Sequence, residues 1–204
     1  SWAKRGAKEY AAWNALIDKV SGPTNAEVPS YAQVVGAINR ICDPTDLALT
    51  AAGGLPGELC QNWRAKTVGT FDCEFGYSCM GYEIAGGLGV KIAHPDREVI
   101  VVVGDGSYLM LNSEIATSVM LGRKLVVVLL DNRGYGCISR LQQAVGGAPF
   151  NNLLDDCTAN GGTAPAIDFA AHARALGAHA EHAGSIAELE AALARARTSD
   201  RTYV

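Results

Sequence analysis

Two short apolar runs, residues 99–103 and 125–130, constrain this chain more than any other feature. The first closes on Gly104-Asp105-Gly106 and the second on Asp131-Asn132. Runs of this length, bounded by turn residues and separated by about twenty residues of helical character, read as neighbouring parallel strands joined by a crossover helix. Asp105 and Asn132 are then expected at the carboxyl ends of adjacent strands, where open α/β sheets bind their ligands.

An acid and an amide that converge beside a glycine turn can hold a hard divalent cation against a diphosphate. Mg²⁺ prefers oxygen ligands, takes one or two from carboxylates and fills its shell with carbonyl, phosphate and water oxygens. Asp105 would supply the charge and Asn132 a neutral oxygen, with the backbone carbonyl of Gly134 as a third ligand. Gly104 and Gly106 let the backbone approach phosphate without an intervening Cβ. The N–H groups of Gly106 and Ser107 open the following helix and point toward the anion.

The Gly104-Asp105-Gly106 block with Asn132 downstream resembles the cofactor signature of the thiamine-diphosphate enzymes of acetolactate synthase and pyruvate decarboxylase type. A second block, Gly76-Tyr77-Ser78-Cys79-Met80-Gly81, is similar to the family's turn whose bulky residue bends the cofactor. The resemblance places Met80 as that wedge and the backbone of Ser78 and Met80 at the aminopyrimidine. A third block, Thr50-Ala51-Ala52-Gly53-Gly54, resembles the loop after the first strand, so Gly53 and Gly54 fall to the diphosphate, or to turn geometry. Gly136 carries the same two readings. The fold implied is α/β, a three-layer doubly wound parallel sheet with helices on both faces.

Across residues 29–142 the chain looks like the trihydroxycyclohexane-1,2-dione hydrolases of myo-inositol catabolism. That resemblance implies a cyclic 1,2-diketone substrate, opened by carbon–carbon hydrolysis to a deoxyglucuronic acid, with thiamine diphosphate and Mg²⁺ as cofactors. It also implies a homodimer or homotetramer and a site completed by a pyrimidine-binding domain of the same or a partner chain. That domain carries the activating glutamate, so no residue here is assigned acid–base catalysis and the fragment alone is expected to be inactive. Residues 1–28 are then a helix and linker from a preceding domain. Residues 29–204 are the pyrophosphate-binding domain, which stops near its last strand.

Bulk properties agree with a soluble, cytoplasmic enzyme domain. The 204 residues are 49% hydrophobic with a net charge of −4, leaving no electrostatic pull toward nucleic acid. No apolar run approaches the ~20 residues needed to span a bilayer. The six cysteines form no CxxC pair and read as reduced thiols.

Periodicity and caps predict helices over residues 2–20 (with an irregular apolar stripe), 31–42 (capped by Ser30), 58–63, 81–93, 169–176 and 186–197 (capped by Ser185). Strands are predicted at 47–51 and 67–71, near 179 and from 202. Residues 140–165 lack periodicity and are expected to be a loop covering the site, partly disordered without ligand. Tyr77, Tyr82, Asn112 and Tyr135 are further residues that could approach it.

Two alternatives stay open at this stage. A nicotinamide-binding Rossmann domain would also place glycines after a strand, but Leu109 stands where its third glycine belongs and Asp105 would face a pyrophosphate unscreened. An acetolactate-synthase-like carboligase or 2-oxoacid decarboxylase would share the cofactor blocks and differ in substrate.

Overall fold

The computed structural model describes residues 1–157, 162, 164 and 166–204. In chain order its elements are α1 (Trp2–Val20), α2 (Tyr31–Ile41), β1 (Leu47–Thr50), α3 (Leu55–Asn62), β2 (Phe71–Cys73), α4 (Tyr82–Ala93) and β3 (Val99–Gly104). There follow α5 (Asp105–Met110), α6 (Glu114–Met120), β4 (Val126–Leu130), α7 (Gly136–Ala144), a 3₁₀ turn (Leu154–Asp156), α8 (Phe169–Ala175) and α9 (Ile186–Thr198).

The strands form one parallel sheet in the order β2-β1-β3-β4. Side chains alternate between its faces. Ala48, Ile100, Val102, Val126 and Val128 join one core with α2, α3 and α9; Val99, Val101, Val103, Leu125 and Val127 join another with α4, α5, α6 and α8. Because helices cover both faces, β3 and β4 carry unbroken apolar runs. This is the doubly wound, three-layer arrangement expected. The β3–β4 register runs from Ile100 beside Val126 to Gly104 beside Leu130, so Asp105 and Asp131 leave the sheet side by side.

Local chemistry explains the boundaries. Ser30 Oγ accepts the N–H of Gln33 while Gln33 Oε1 accepts the N–H of Ser30, a reciprocal cap that starts α2. Ser185 Oγ caps α9 through the N–H of Glu188. The crossover between β3 and β4 is two helices rather than the single one expected. Asn112 Nδ2 donates to the Tyr108 carbonyl at 3.1 Å, ending α5 by competing for a helical acceptor, and α6 restarts after Ser113.

Other expectations shift. β2 begins at Phe71, because Thr70 Oγ1 turns back to the Thr67 carbonyl and holds residues 67–70 in a turn. The strands expected near 179 and 202 are single bridged residues: Tyr203 pairs in parallel with both Val126 and His179. The apolar stripe of α1 is largely exposed, with Ile17 its buried residue. The segment expected to be a loop from 140 begins inside α7 and includes the 3₁₀ turn. Residues 158–161, 163 and 165, on which much of the covering-loop expectation falls, lie outside the described residues.

Candidate functional site

The strand order reverses between β1 and β3, and ligands of open α/β sheets bind in the crevice at such a point. β1 delivers residues 51–54 to it and β3 delivers Asp105, with Asn132 and Gly134 arriving from β4.

Asp105 is 2% exposed. Its Oδ2 accepts the N–H of Gly134 at 2.6 Å. Burial pushes its carboxyl above the ordinary range, opposed by N–H groups of Gly134, Asn132 and Gly106 and reinforced by the charge of Asp131. Asn132 Nδ2 donates to the Tyr31 hydroxyl at 2.8 Å. Its Oδ1 then lies 3.2 Å from Asp105 Oδ1 and 2.7 Å from the Gly134 carbonyl oxygen, with no hydrogen between them. Three crowded acceptors are unfavourable unless the amide turns over to donate or a cation sits among them. One charged and two neutral oxygens suit a hard divalent ion that keeps water or phosphate in its remaining positions. Among the described residues no group of three His, Cys, Asp or Glu side chains could hold a metal, so this site depends on the amide and the carbonyl.

The loop carrying Asn132 and Gly134 is braced. Arg133 has φ +61° and Gly134 φ +135°. Tyr135 N–H donates to the Asn152 carbonyl at 2.7 Å, Leu154 N–H to the Arg133 carbonyl at 2.8 Å, and Arg133 pairs with Asp155 at 2.8 Å. A Cβ on Gly134 would stand 2.5 Å from the Asn152 carbonyl oxygen, so only glycine permits this approach. Sequence reading missed this brace and Tyr31, since both act across long chain separations.

Of the remaining predicted residues, Gly106 and Gly136 adjoin this centre. Gly53 has open space above it, whereas Gly54 packs against the Arg140 guanidinium. Gly106 lies against the Tyr135 ring, and Gly136 against the Asn132 amide, where a Cβ would stand 3.1 Å from Asn132 Oδ1. Ser78 is exposed with φ +50°, and Met80 is partly exposed, in a turn held by Glu74. Glu74 accepts the N–H groups of Tyr77 and Cys79, which hold its carboxyl below the usual range, Cys79 contributing most. The Ser107 hydroxyl is committed to Glu83, a fully buried acid, so only its backbone N–H is left for an anion. Tyr135 reaches the centre. Tyr77 is 92% exposed, Tyr82 covers Gly86 and Asn112 caps α5, so these three are not brought to it.

Residues 51–204 match the family described as thiamine pyrophosphate enzyme, C-terminal TPP binding domain. The chain belongs to this family. The matched region contains every predicted site residue, from Gly53 to Gly136, and excludes the Rossmann alternative. The chain is 40% identical over 188 residues to a Bacillus licheniformis protein named 3D-(3,5/4)-trihydroxycyclohexane-1,2-dione hydrolase, with 91% of this chain and 28% of that one covered. A Bacillus thuringiensis protein of the same name is 44% identical over 168 residues, covering 80% and 26%. The chain thus spans little more than a quarter of these curated relatives. The thiamine diphosphate-dependent 4-hydroxybenzoylformate decarboxylase of Rhodococcus jostii RHA1 shares the fold, with a TM-score of 0.74 at 17% identity over 88% of this chain and 32% of that one. No helix among the described residues is long and apolar enough to cross a membrane.

Proposed function

We propose that this domain holds the diphosphate of thiamine diphosphate through Mg²⁺ in an enzyme that opens trihydroxycyclohexane-1,2-dione by carbon–carbon hydrolysis. The observation that carries the cofactor half is the convergence of the Asp105 carboxylate, the Asn132 side-chain amide and the Gly134 carbonyl at a strand-order reversal, in a chain of this family. The substrate half is supported by the similarity to relatives bearing that name.

In this reading Asp105, Asn132 and Gly134 hold the cation. The backbone at Gly53, Gly54, Gly106 and Ser107 faces the diphosphate, and Gly136 makes room for the Asn132 amide. Ser78 and Met80 border the ring portion, where a partly exposed thioether can conform to an apolar surface. When bound, thiamine diphosphate supplies an electron sink for breaking a bond beside a carbonyl, and the protein supplies binding and orientation. A pyrimidine-binding domain, from residues outside this chain or from a partner subunit, completes the site. Residues 1–28 would be the linker from a preceding domain. The assembled protein would be a cytoplasmic homodimer or homotetramer, and these 204 residues alone would not turn over substrate.

The test is thermal unfolding of the full-length protein with thiamine diphosphate, with Mg²⁺, with both and with NAD, beside Asp105→Ala. A ligand that binds the native state raises the melting temperature by mass action. A rise that requires both cofactor components and disappears in Asp105→Ala is expected; a full rise without Mg²⁺ would refute the cation role. Product analysis with the cyclic dione against pyruvate then separates the hydrolase from a carboligase or decarboxylase. Pyruvate consumption with no ring opening would overturn the substrate assignment.

A further inference from the structure

Glu83 stands in the first turn of α4, is fully buried and has no part in the cofactor contacts above. Its Oε1 accepts the N–H of Ala52 at 3.1 Å. Its Oε2 accepts the N–H of Gly81 at 3.1 Å and the hydroxyl of Ser107 at 2.7 Å. The Ser107 hydroxyl also accepts from the Gly81 N–H at 2.7 Å, which closes the network. Every partner offers a hydrogen, which matches the acceptor-only character of a carboxylate. Burial of an acid is costly without such bonds, so these ties are strongly specified.

The donors belong to three separate segments: the loop after β1, the turn before α4 and the first turn of α5. Those segments carry the diphosphate loop, the Met80 turn and the cation ligand Asp105. A helix cap would need only the bond to Gly81; the bonds to Ala52 and Ser107 reach elsewhere. The base of this strut is fixed, because Gly87, one turn along α4, lies so close to β3 that a Cβ would stand 2.4 Å from Val101 Cγ2.

We propose that Glu83 is a positioning residue for cofactor binding, a buried carboxylate that sets the spacing of all three cofactor-facing segments. The inference rests on the cofactor reading above. Supporting contacts of this kind hold a site to the geometry its ligand needs.

The test uses Glu83→Gln and Ser107→Ala in the full-length protein. In either orientation the new amide turns an NH₂ toward a backbone N–H, that of Ala52 or that of Gly81, while the side-chain volume is kept. Ser107→Ala cuts one tie and leaves the carboxylate. Thiamine diphosphate is titrated at saturating Mg²⁺ by calorimetry, and amide exchange is followed at Ala52 and Gly81 before the cofactor is added.

Glu83→Gln is expected to raise the cofactor Kd about tenfold or more, the range seen when outer supporting bonds of a site are removed. Exchange at one or both amides should quicken, and kcat at saturating cofactor should fall less than affinity does. Ser107→Ala should show the same changes in smaller degree. Glu83→Gln with a Kd within about twofold of the unmodified protein overturns the inference and leaves Glu83 a packing residue. If that variant does not fold, an unchanged Kd in Ser107→Ala overturns it instead. If the unmodified protein itself fails to bind, the cofactor reading falls and takes the inference with it.

Discussion

Adding one methyl group at Gly87, and separately at Gly89, tests how closely α4 is seated on the sheet. Both glycines lie on α4, but a Cβ at Gly87 would stand 2.4 Å from Val101 Cγ2, whereas Gly89 has no atom within 4 Å. Carbon atoms rest at about 3.5–4.0 Å, so the overlap at Gly87 is about 1 Å. Val101 cannot yield: it is 0% exposed, β-branched and on β3, which is hydrogen-bonded on both sides. α4 must lift instead, at about 1–3 kcal/mol for overpacking.

Replacing glycine by alanine inside a helix returns about 1 kcal/mol at either site. Gly89→Ala should therefore stabilise by about that amount, while Gly87→Ala should be neutral or destabilising by up to about 2 kcal/mol. The difference between the variants isolates the packing cost. For a domain of this size it corresponds to roughly 2–12 °C in melting temperature. Urea unfolding gives the same comparison, provided the slopes agree. Equal melting temperatures, or Gly87→Ala the more stable, would refute the reasoning. Lifting α4 also displaces Glu83, so cofactor affinity should drop in Gly87→Ala and hold in Gly89→Ala.

Three further outcomes are expected. Gly134→Ala forces a Cβ to 2.5 Å from the Asn152 carbonyl at φ +135°. Strain of about 1–3 kcal/mol should weaken Mg²⁺-dependent cofactor binding about tenfold, and an unchanged Mg²⁺ titration would show that this carbonyl is not a ligand. Burial pushes Cys42 and Tyr108 each up to about 12, from ordinary values of 9.0 and 10.0. The folded state therefore keeps protons that the unfolded state loses, so stability is full below the ordinary values and falls as pH rises through about 12; urea midpoints measured across that window check it, and Tyr108→Phe should flatten the upper part. Asp155→Ala removes an exposed pair with Arg133, where the two side chains are 66% and 39% exposed. It should cost less than about 1 kcal/mol in global stability, yet speed amide exchange at Leu154 and Tyr135.

The positions of Asp105 and Asn132 were legible because each lies two residues beyond the end of an apolar run, and parallel pairing brings the ends of neighbouring strands together. Gly53, Gly54, Ser78 and Met80 were proposed through motif resemblance, which locates a segment but not what its side chains touch. Ser107 was read through its backbone N–H at the start of a helix, and nothing local foretold that its hydroxyl points to Glu83. Glu83 left one trace, a charge in the small, apolar run of α4, and nothing local says which donors would meet it. The break between α5 and α6 was written in Asn112 and Ser113 but outweighed by the apolar spacing around them.

From its sequence alone the positions of β1, β3 and β4, most helix starts and the loops that leave those strands are determined, because they depend on spacing, caps and turn residues acting within a few positions. The tertiary structure alone decides that Tyr31 holds the Asn132 amide, that residues 152–155 brace the Gly134 loop, and that Glu83 joins segments centred on residues 52, 81 and 107. Those contacts join groups far apart in the chain. Each donor has many acceptors available until the packed core leaves it one or two.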